Sequence, residues 1–164
     1  MSHPKVLTAM ELARVMSSLS GRTMSARRVR HLLVECALGT ELQGRQHGQT
    51  RLFGLLDLAI IRLVVELEAQ GISAWVSRVV LTYLRDDIVR AFRSSAPVAL
   101  SVRGLRATLE PALKGRPSAA VAWVPLRDVW KGLEGAILAT RAQKPTVWMW
   151  SEVPPQSVKR STLI

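Results

Sequence analysis

The side chains best suited to binding chemistry are a group of cations in one short segment, residues 25–38, which reads SARRVRHLLVECAL. If this segment is helical, its apolar residues share one face and its basic residues project mainly away from it. The apolar residues are Val29, Leu32, Leu33 and Cys36, and the basic ones are Arg27, Arg28, Arg30 and His31. Guanidinium groups bind phosphate oxygens and the edge of guanine. The pattern predicts a DNA recognition helix, and a solvated helix face is the alternative.

The first turns of this predicted helix hold most of its basic residues. A cation near a helix N-terminus gains nothing from the macrodipole, so an external anion explains the placement. Ser25 can cap the helix with its hydroxyl, and Arg22 lies just before it in the turn-like stretch Ser20–Thr23. We therefore include Arg22 and Ser25 among the predicted DNA contacts.

A second group of polar side chains lies in the stretch GRQHGQTRLF, residues 44–53. Two short strands around a flexible tip fit this composition, the first near Glu41–Gln43 and the second near Thr50–Phe53. The candidate DNA contacts here are Arg45, Gln46, His47, Gln49, Thr50 and Arg51. Such a hairpin can follow a phosphate backbone or enter a minor groove. The alternative is an ordinary polar hairpin.

Helices on either side of these segments must hold them in place. Apolar spacing predicts a first helix over residues 7–19, with Thr8 and Glu11 forming a capping box. This helix, the turn-like stretch at residues 20–23 and the basic helix follow one another in the order helix, turn, helix.

Two further helices follow the hairpin. Residues 55–70 are so apolar that they must form a heavily buried helix, closed by Gly71. Ser73 can cap the next helix, over residues 74–93, whose apolar residues include Tyr83. These apolar residues are expected to extend beyond the core toward a partner subunit.

Pro97 marks the boundary to a second region, because the residue before a proline resists helical geometry. Short apolar runs alternate there with polar helical stretches, which predicts the order β, α, β, α, β. The five predicted elements are residues 98–102, 105–113, 119–124, 127–140 and 146–150. The tail from Pro154 has little to bury and is expected to be mobile.

Composition narrows the class of protein. The chain has 164 residues, of which 48% are hydrophobic and 21% are charged, as in globular proteins. Its 23 Lys and Arg against 12 Asp and Glu give a net charge of +11, which suits a polyanionic partner. A basic solvated surface that merely resists aggregation is the alternative.

Cys36 is the only cysteine, so the chain can form neither an internal disulfide nor a thiolate cluster. The three histidines have no paired spacing, and we expect no metal and no cofactor. Arg62 and Glu66 interrupt the apolar run 55–67 well short of a membrane span, and the N-terminus lacks a signal-peptide pattern. A cytoplasmic protein with no membrane partner is expected.

Enzyme motifs of the GxSxG, GxxxxGK and HExxH types are missing from the sequence. Asp86 and Asp87 are adjacent, so on a helix they diverge by about 100° and do not share one site. We therefore expect no enzyme. Four tryptophans either fill a small core or anchor a subunit interface, and these are Trp123, Trp130, Trp148 and Trp150.

The order of helix, turn, basic helix, hairpin, buried helix and capped helix resembles the DNA-binding domain of the MerR family of transcription regulators. The residues that carry the likeness are MELARV, SARRVRHLL and GQTRLFGLLDLAIIRLVVELEAQGIS, within residues 7–90. The closest parts are Arg51–Phe53, Asp57-Leu58 and residues 67–73. The stretch Ser17–Thr23 is longer than the family's tight turn, and a short α/β region after Pro97 replaces the family's long dimerising helix.

The resemblance implies a winged helix-turn-helix whose recognition helix carries Arg27, Arg28, Arg30 and His31, with residues 45–51 in the wing. The expected fold is mainly α with small β content. The expected organisation is a DNA-binding domain in residues 1–95, a small α/β dimerisation or partner-binding region in 96–153, and a mobile tail in 154–164.

The expected function is that of a bacterial, nucleoid-associated transcription regulator that binds double-stranded DNA as a homodimer. RNA polymerase or another regulator is a further candidate partner, through the second region. Two alternatives stay open. One is an architectural or excisionase-like recombination factor of a mobile element, and the other is a protein-interaction adaptor with a winged helix fold.

Overall fold

The protein is mainly helical, with a small amount of antiparallel β-structure, in a computed structural model that describes residues 7–35, 45–47, 50–94, 97–104 and 106–142. The helices are α1 (Ala9–Ser20), α2 (Ala26–Glu35), α3 (Leu55–Ala69), α4 (Ala74–Arg93), α5 (Leu126–Trp130) and α6 (Leu133–Ala142). The strands are β1 (Leu7–Thr8), β2 (Arg45–His47), β3 (Thr50–Phe53), β4 (Val98–Arg103), β5 (Arg106–Pro111) and β6 (Ala122–Pro125). The predicted fold class is confirmed. No helix in the described ranges has both the length and the apolar character needed to cross a bilayer.

Helix α1 begins at the predicted capping box. The Thr8 amide donates to Glu11 Oε2 at 2.8 Å, and the Glu11 amide donates to Thr8 Oγ1 at 3.3 Å. The predicted turn at Ser20–Thr23 is wrong at its start, since α1 runs through Ser20 and Gly21 ends it at φ 65°. The connection to α2 is therefore residues 21–25, shorter than the turn expected over Ser17–Thr23.

Helix α3 is the centre of the molecule and matches the buried helix predicted over residues 55–70. It contacts α1, α2, α4, α5, α6 and β6, so nearly every side of it meets another element. Leu58, Leu63 and Leu67 are fully buried along it. Truncation of any one of them to alanine would cost roughly 2–5 kcal/mol. The Asp57 carboxylate accepts from the Gly54 amide at 2.6 Å and fixes the start of the helix.

The first sheet has the order β1-β3-β2 and is antiparallel throughout. Leu7 was expected at the start of the first helix, but it lies in β1, opposite Phe53 in β3, and both side chains are buried. Arg45 faces Leu52 in the β2–β3 hairpin. The predicted hairpin is present, while the predicted first-strand position, residues 41–43, lies outside the described residues.

The second sheet has the order β5-β4-β6, and it corrects one prediction. Residues 105–113 were expected to be helical, as the second element of the predicted order β, α, β, α, β. Instead residues 106–111 form β5, which pairs with β4 in a hairpin that turns at Gly104. Gly104 has φ 58°, a conformation that favours a tight hairpin turn and was not recognised in the sequence.

The helix predicted over residues 127–140 is two helices rather than one. Helix α5 ends at Trp130, Gly132 takes φ 81°, and α6 starts at Leu133. A left-handed residue cannot continue an α-helix, so the chain changes direction there. The last predicted strand, residues 146–150, and the predicted tail, residues 154–164, lie outside the described residues.

Side chains of α3 and of Gln70, the residue after it, hold the second region against the first. Nε2 of the Gln70 side chain donates to the Trp123 carbonyl at 3.0 Å, and Oε1 of the same side chain accepts from the Trp123 backbone amide at 2.8 Å. Arg62 Nη1 donates to the carbonyls of Val129 and Lys131 at 2.9 and 2.8 Å. Buried residues of both regions belong to one hydrophobic core. The predicted division of the chain at residue 95 stays a prediction.

Candidate nucleic-acid interface

Helix α2 separates its apolar and basic side chains as the sequence predicted. Val29 is fully buried and Leu32 is 1% exposed, while Arg27, Arg30 and His31 are exposed. The apolar side packs against α1, α3 and α4, which form the structural support of the helix. The two exposed arginines therefore lie on an outward-facing surface that is fixed to the core from behind.

The start of α2 is held in a defined position by two serines. Ser25 Oγ accepts from the Arg28 amide at 3.1 Å, which confirms the predicted cap. Ser17 Oγ accepts from the Met24 amide at 2.8 Å and donates to the Ala13 carbonyl at 2.8 Å, so it ties the connection to α1. Both hydroxyls satisfy backbone groups that a helix end or turn would otherwise leave unpaired. The role of Ser17 was not predicted from the sequence.

Arg22 lies exposed in the connection between α1 and α2. Its backbone is fixed by Ser20, whose Oγ donates to the Arg22 carbonyl at 3.2 Å and accepts from the Arg22 amide at 3.3 Å. The guanidinium group of Arg22 is thus available at the entry to α2, next to the exposed Ser25.

Arg28 differs from its neighbours, because the structure gives it an internal partner. Its Nη2 lies 2.6 Å from Glu68 Oε1 in α3, and its side chain is 41% exposed. The sequence could not reveal this ion pair, since Glu68 is forty residues away. Arg28 remains a candidate contact, but its first role here is to join α2 to α3.

The β2–β3 hairpin is attached to the same support as α2. Phe53 at its base is buried, β3 contacts α1, and Gly54 leads directly into α3. The backbone of Arg45, Gln46, His47, Thr50 and Arg51 lies in the paired strands. Gln49 lies outside the described residues. The structure thus brings the hairpin backbone and the basic helix onto one scaffold.

Residues 12–34, which include most of α2, carry basic side chains and no acidic ones. From residue 12 to residue 34 there are five arginines and no aspartate or glutamate. They are Arg14, Arg22, Arg27, Arg28 and Arg30. A local excess of positive charge of this kind attracts a polyanion, although the Glu68 carboxylate lies beside Arg28. Among the residues that the structure describes, no cluster of histidine, cysteine, aspartate and glutamate could hold a metal ion.

Two aromatic residues on α4 are exposed, and of these only Tyr83 belongs to the apolar set that was expected to extend beyond the core. Tyr83 was grouped with the apolar residues of α4, and it is 82% exposed. Trp75, near the start of α4, is 66% exposed. Trp130, by contrast, stacks on Phe92 with ring centroids 5.5 Å apart, so it contributes to the core. Trp148 and Trp150 lie outside the described residues.

No family model, curated protein or solved structure matches this chain. The likeness to the MerR family therefore rests on the residues quoted for it in the sequence.

Proposed function

We propose that this protein is a sequence-specific DNA-binding transcription regulator with a winged helix-turn-helix domain. Helix α2 enters the major groove, and the β2–β3 hairpin is the wing, which lies on the flanking backbone. The observation that carries the proposal is the division of α2 into a buried side, Val29 and Leu32, and an exposed side, Arg27 and Arg30. A recognition helix needs both, because it must be rigid on one side and able to donate hydrogen bonds on the other.

The roles of the individual arginines follow from their surroundings. Arg27 and Arg30 are exposed and sit in the first half of α2, where recognition helices contact base edges. Arg22 precedes the helix and suits a phosphate contact, which fixes position without reading sequence. Arg28 holds the angle between α2 and α3 through Glu68. His31 and the polar residues of the wing complete the surface.

The test is a titration of the purified full chain with a fluorescent mixed-sequence duplex, followed by anisotropy at several salt concentrations. Each phosphate contact adds roughly 0.9 to the slope of log affinity against log salt, so binding should weaken steeply as salt rises. Arg27→Ala and Arg30→Ala should each weaken binding, and a variant that loses a phosphate contact should show a shallower slope.

Arg127→Ala is the matched control, because Arg127 is an exposed arginine on α5, outside the proposed interface. It should bind like the wild type. Absence of DNA binding by the wild type, or affinity that does not change with salt, would contradict the proposal and favour a protein-interaction adaptor.

A further inference from the structure

Strand β5 forms one edge of the second sheet, and no other described strand pairs with its outer side. The Ala112 amide donates to the Pro97 carbonyl at 2.8 Å, so residues 97 and 112 are a hydrogen-bonded pair in the register of the β4–β5 hairpin. This pair shows which residues of β5 hydrogen-bond to β4. In an antiparallel pair alternate residues point their backbone groups toward the partner strand. The backbone amides and carbonyls of residues 106, 108 and 110 therefore point toward β4. Those of Ala107 and Leu109 point outward.

The opposite edge of the same sheet is closed by the protein itself. The Gln70 side chain makes two hydrogen bonds to the backbone of Trp123 in β6, in the way that a neighbouring strand would. Uncovered sheet edges are sites of strand pairing with other chains, and proteins commonly block the edges that must stay unpaired. Among the residues that the structure describes, the sheet is thus blocked at β6 and open at β5.

An open groove of about 860 Å³ runs beside β5, between this strand and the C-terminal half of α4. Its lining is mostly apolar and includes Leu84, Ala91, Val98 and Leu109. Tyr83, 82% exposed, lies one helical turn before Asp87 of the groove wall. Exposed apolar surface of this kind marks an interaction site.

We propose that β5 pairs antiparallel with β5 of a second copy of this chain, on a twofold axis at Thr108. In this register Ala107 faces Leu109 of the partner subunit, so both outward-facing residues of each copy pair fully and the two sheets become one six-stranded sheet. Arg106 then faces Glu110 of the partner subunit. Within each copy the Glu110 carboxylate already accepts from Arg103 Nη2 at 2.8 Å and from Thr108 Oγ1 at 3.0 Å, so in the pair it would lie between two arginines, and opposite charges directly across strands are stabilising. Shifting the axis by one residue toward Leu109 would bring in Pro111, which has no amide to donate.

The twofold axis of such a pair is perpendicular to the sheet, so both α4 helices lie on the same face and Tyr83 and the groove of each copy approach the other. Two copies would carry two α2 helices, as an inverted-repeat DNA site requires. That use rests on the proposed function, but the pairing itself does not, because it is measured without DNA.

The test is sedimentation equilibrium of the full chain without DNA, over a range of concentrations. The wild type should show a mass approaching twice 18.1 kDa. Arg106→Glu replaces both arginine–glutamate pairs across the axis by pairs of carboxylates. It should raise the dimer dissociation constant about tenfold or more. Arg127→Glu, the same charge change at an exposed site on α5, should leave it within about twofold.

Amide hydrogen exchange measured by NMR on the same samples reports on the edge directly. The Ala107 and Leu109 amides should be protected in the wild-type dimer and should exchange rapidly in Arg106→Glu at the same concentration. A wild type that is monomeric throughout, or a dimer in which these two amides exchange freely, would overturn the edge pairing. A monomer that still binds DNA would overturn this inference alone and leave the proposed function standing.

Discussion

Arg28 Nη2 and Glu68 Oε1 lie 2.6 Å apart, and this contact joins the candidate recognition helix α2 to the central helix α3. The pair is only partly exposed, at 41% and 27% of the two side chains. Because α3 also contacts α1 and follows directly from the β2–β3 hairpin, Glu68 helps to fix α2 relative to the remainder of the proposed interface.

Glu68→Gln should therefore weaken DNA binding although Glu68 does not belong to the proposed interface. A partly exposed ion pair contributes roughly 0.5–1 kcal/mol to stability, so urea unfolding should show a small loss of that size. The loss of affinity should be smaller than that of Arg30→Ala. Asp128→Asn, which changes an exposed carboxylate on α5, is the control. Affinity above that of the wild type would instead mean that Glu68 competes with DNA for Arg28.

Gln70→Ala should destabilise the whole chain. It removes both partners of the Trp123 backbone, which is partly buried, and leaving such groups unpaired costs about 1–3 kcal/mol. Urea denaturation measures the loss, and the Trp123 amide should exchange faster. Gln70→Glu keeps the acceptor for the Trp123 amide but sets a carboxylate oxygen against the Trp123 carbonyl in place of the donor, so it should also destabilise the chain. Equal stability of all three proteins would contradict the assigned role of Gln70.

Two glycine substitutions should change stability in opposite directions. Gly132 has φ 81°, and an alanine there would be strained by roughly 1–2 kcal/mol. Gly135 lies in α6, where alanine is favoured over glycine by roughly 0.5–1 kcal/mol. A Cβ at either site would meet no atom within 4 Å, so packing does not confuse the comparison. Thermal unfolding should rank Gly135→Ala above wild type and Gly132→Ala below it.

The sequence predicted the helical half of this fold well, because its signals are local. The capping box at Thr8 and Glu11, the serine caps at Ser25 and Ser73, and the apolar run of α3 each depend on residues within one or two turns. Helix α4 has the bounds that were predicted for it, Ala74–Arg93.

The second region was predicted less well, because a single backbone conformation decided each error. Gly104 at φ 58° turns the chain into β5, where a helix was predicted, and Gly132 at φ 81° divides one predicted helix into two. A single glycine in a sequence does not indicate whether its backbone takes a left-handed or a right-handed conformation.

The candidate site shows the same limit at long range. The exposure of Arg27 and Arg30 follows from helix periodicity and was predictable. The partner of Arg28 was not, since the contact with Glu68 depends on how α2 packs against α3. The open edge of β5 was also hidden, because the strand itself was predicted as a helix.

Selection of bound duplexes from a random-sequence pool, followed by sequencing, tests the central claim most directly, since it requires no guess about the target. We expect the wild type and Arg127→Ala to enrich the same motif. Arg27→Ala or Arg30→Ala should relax the preference at particular base pairs, by roughly 1–3 kcal/mol for a lost bidentate contact. Binding without any enriched motif would contradict a sequence-specific regulator and favour an architectural factor, and an unchanged motif in both α2 variants would contradict the recognition role of α2.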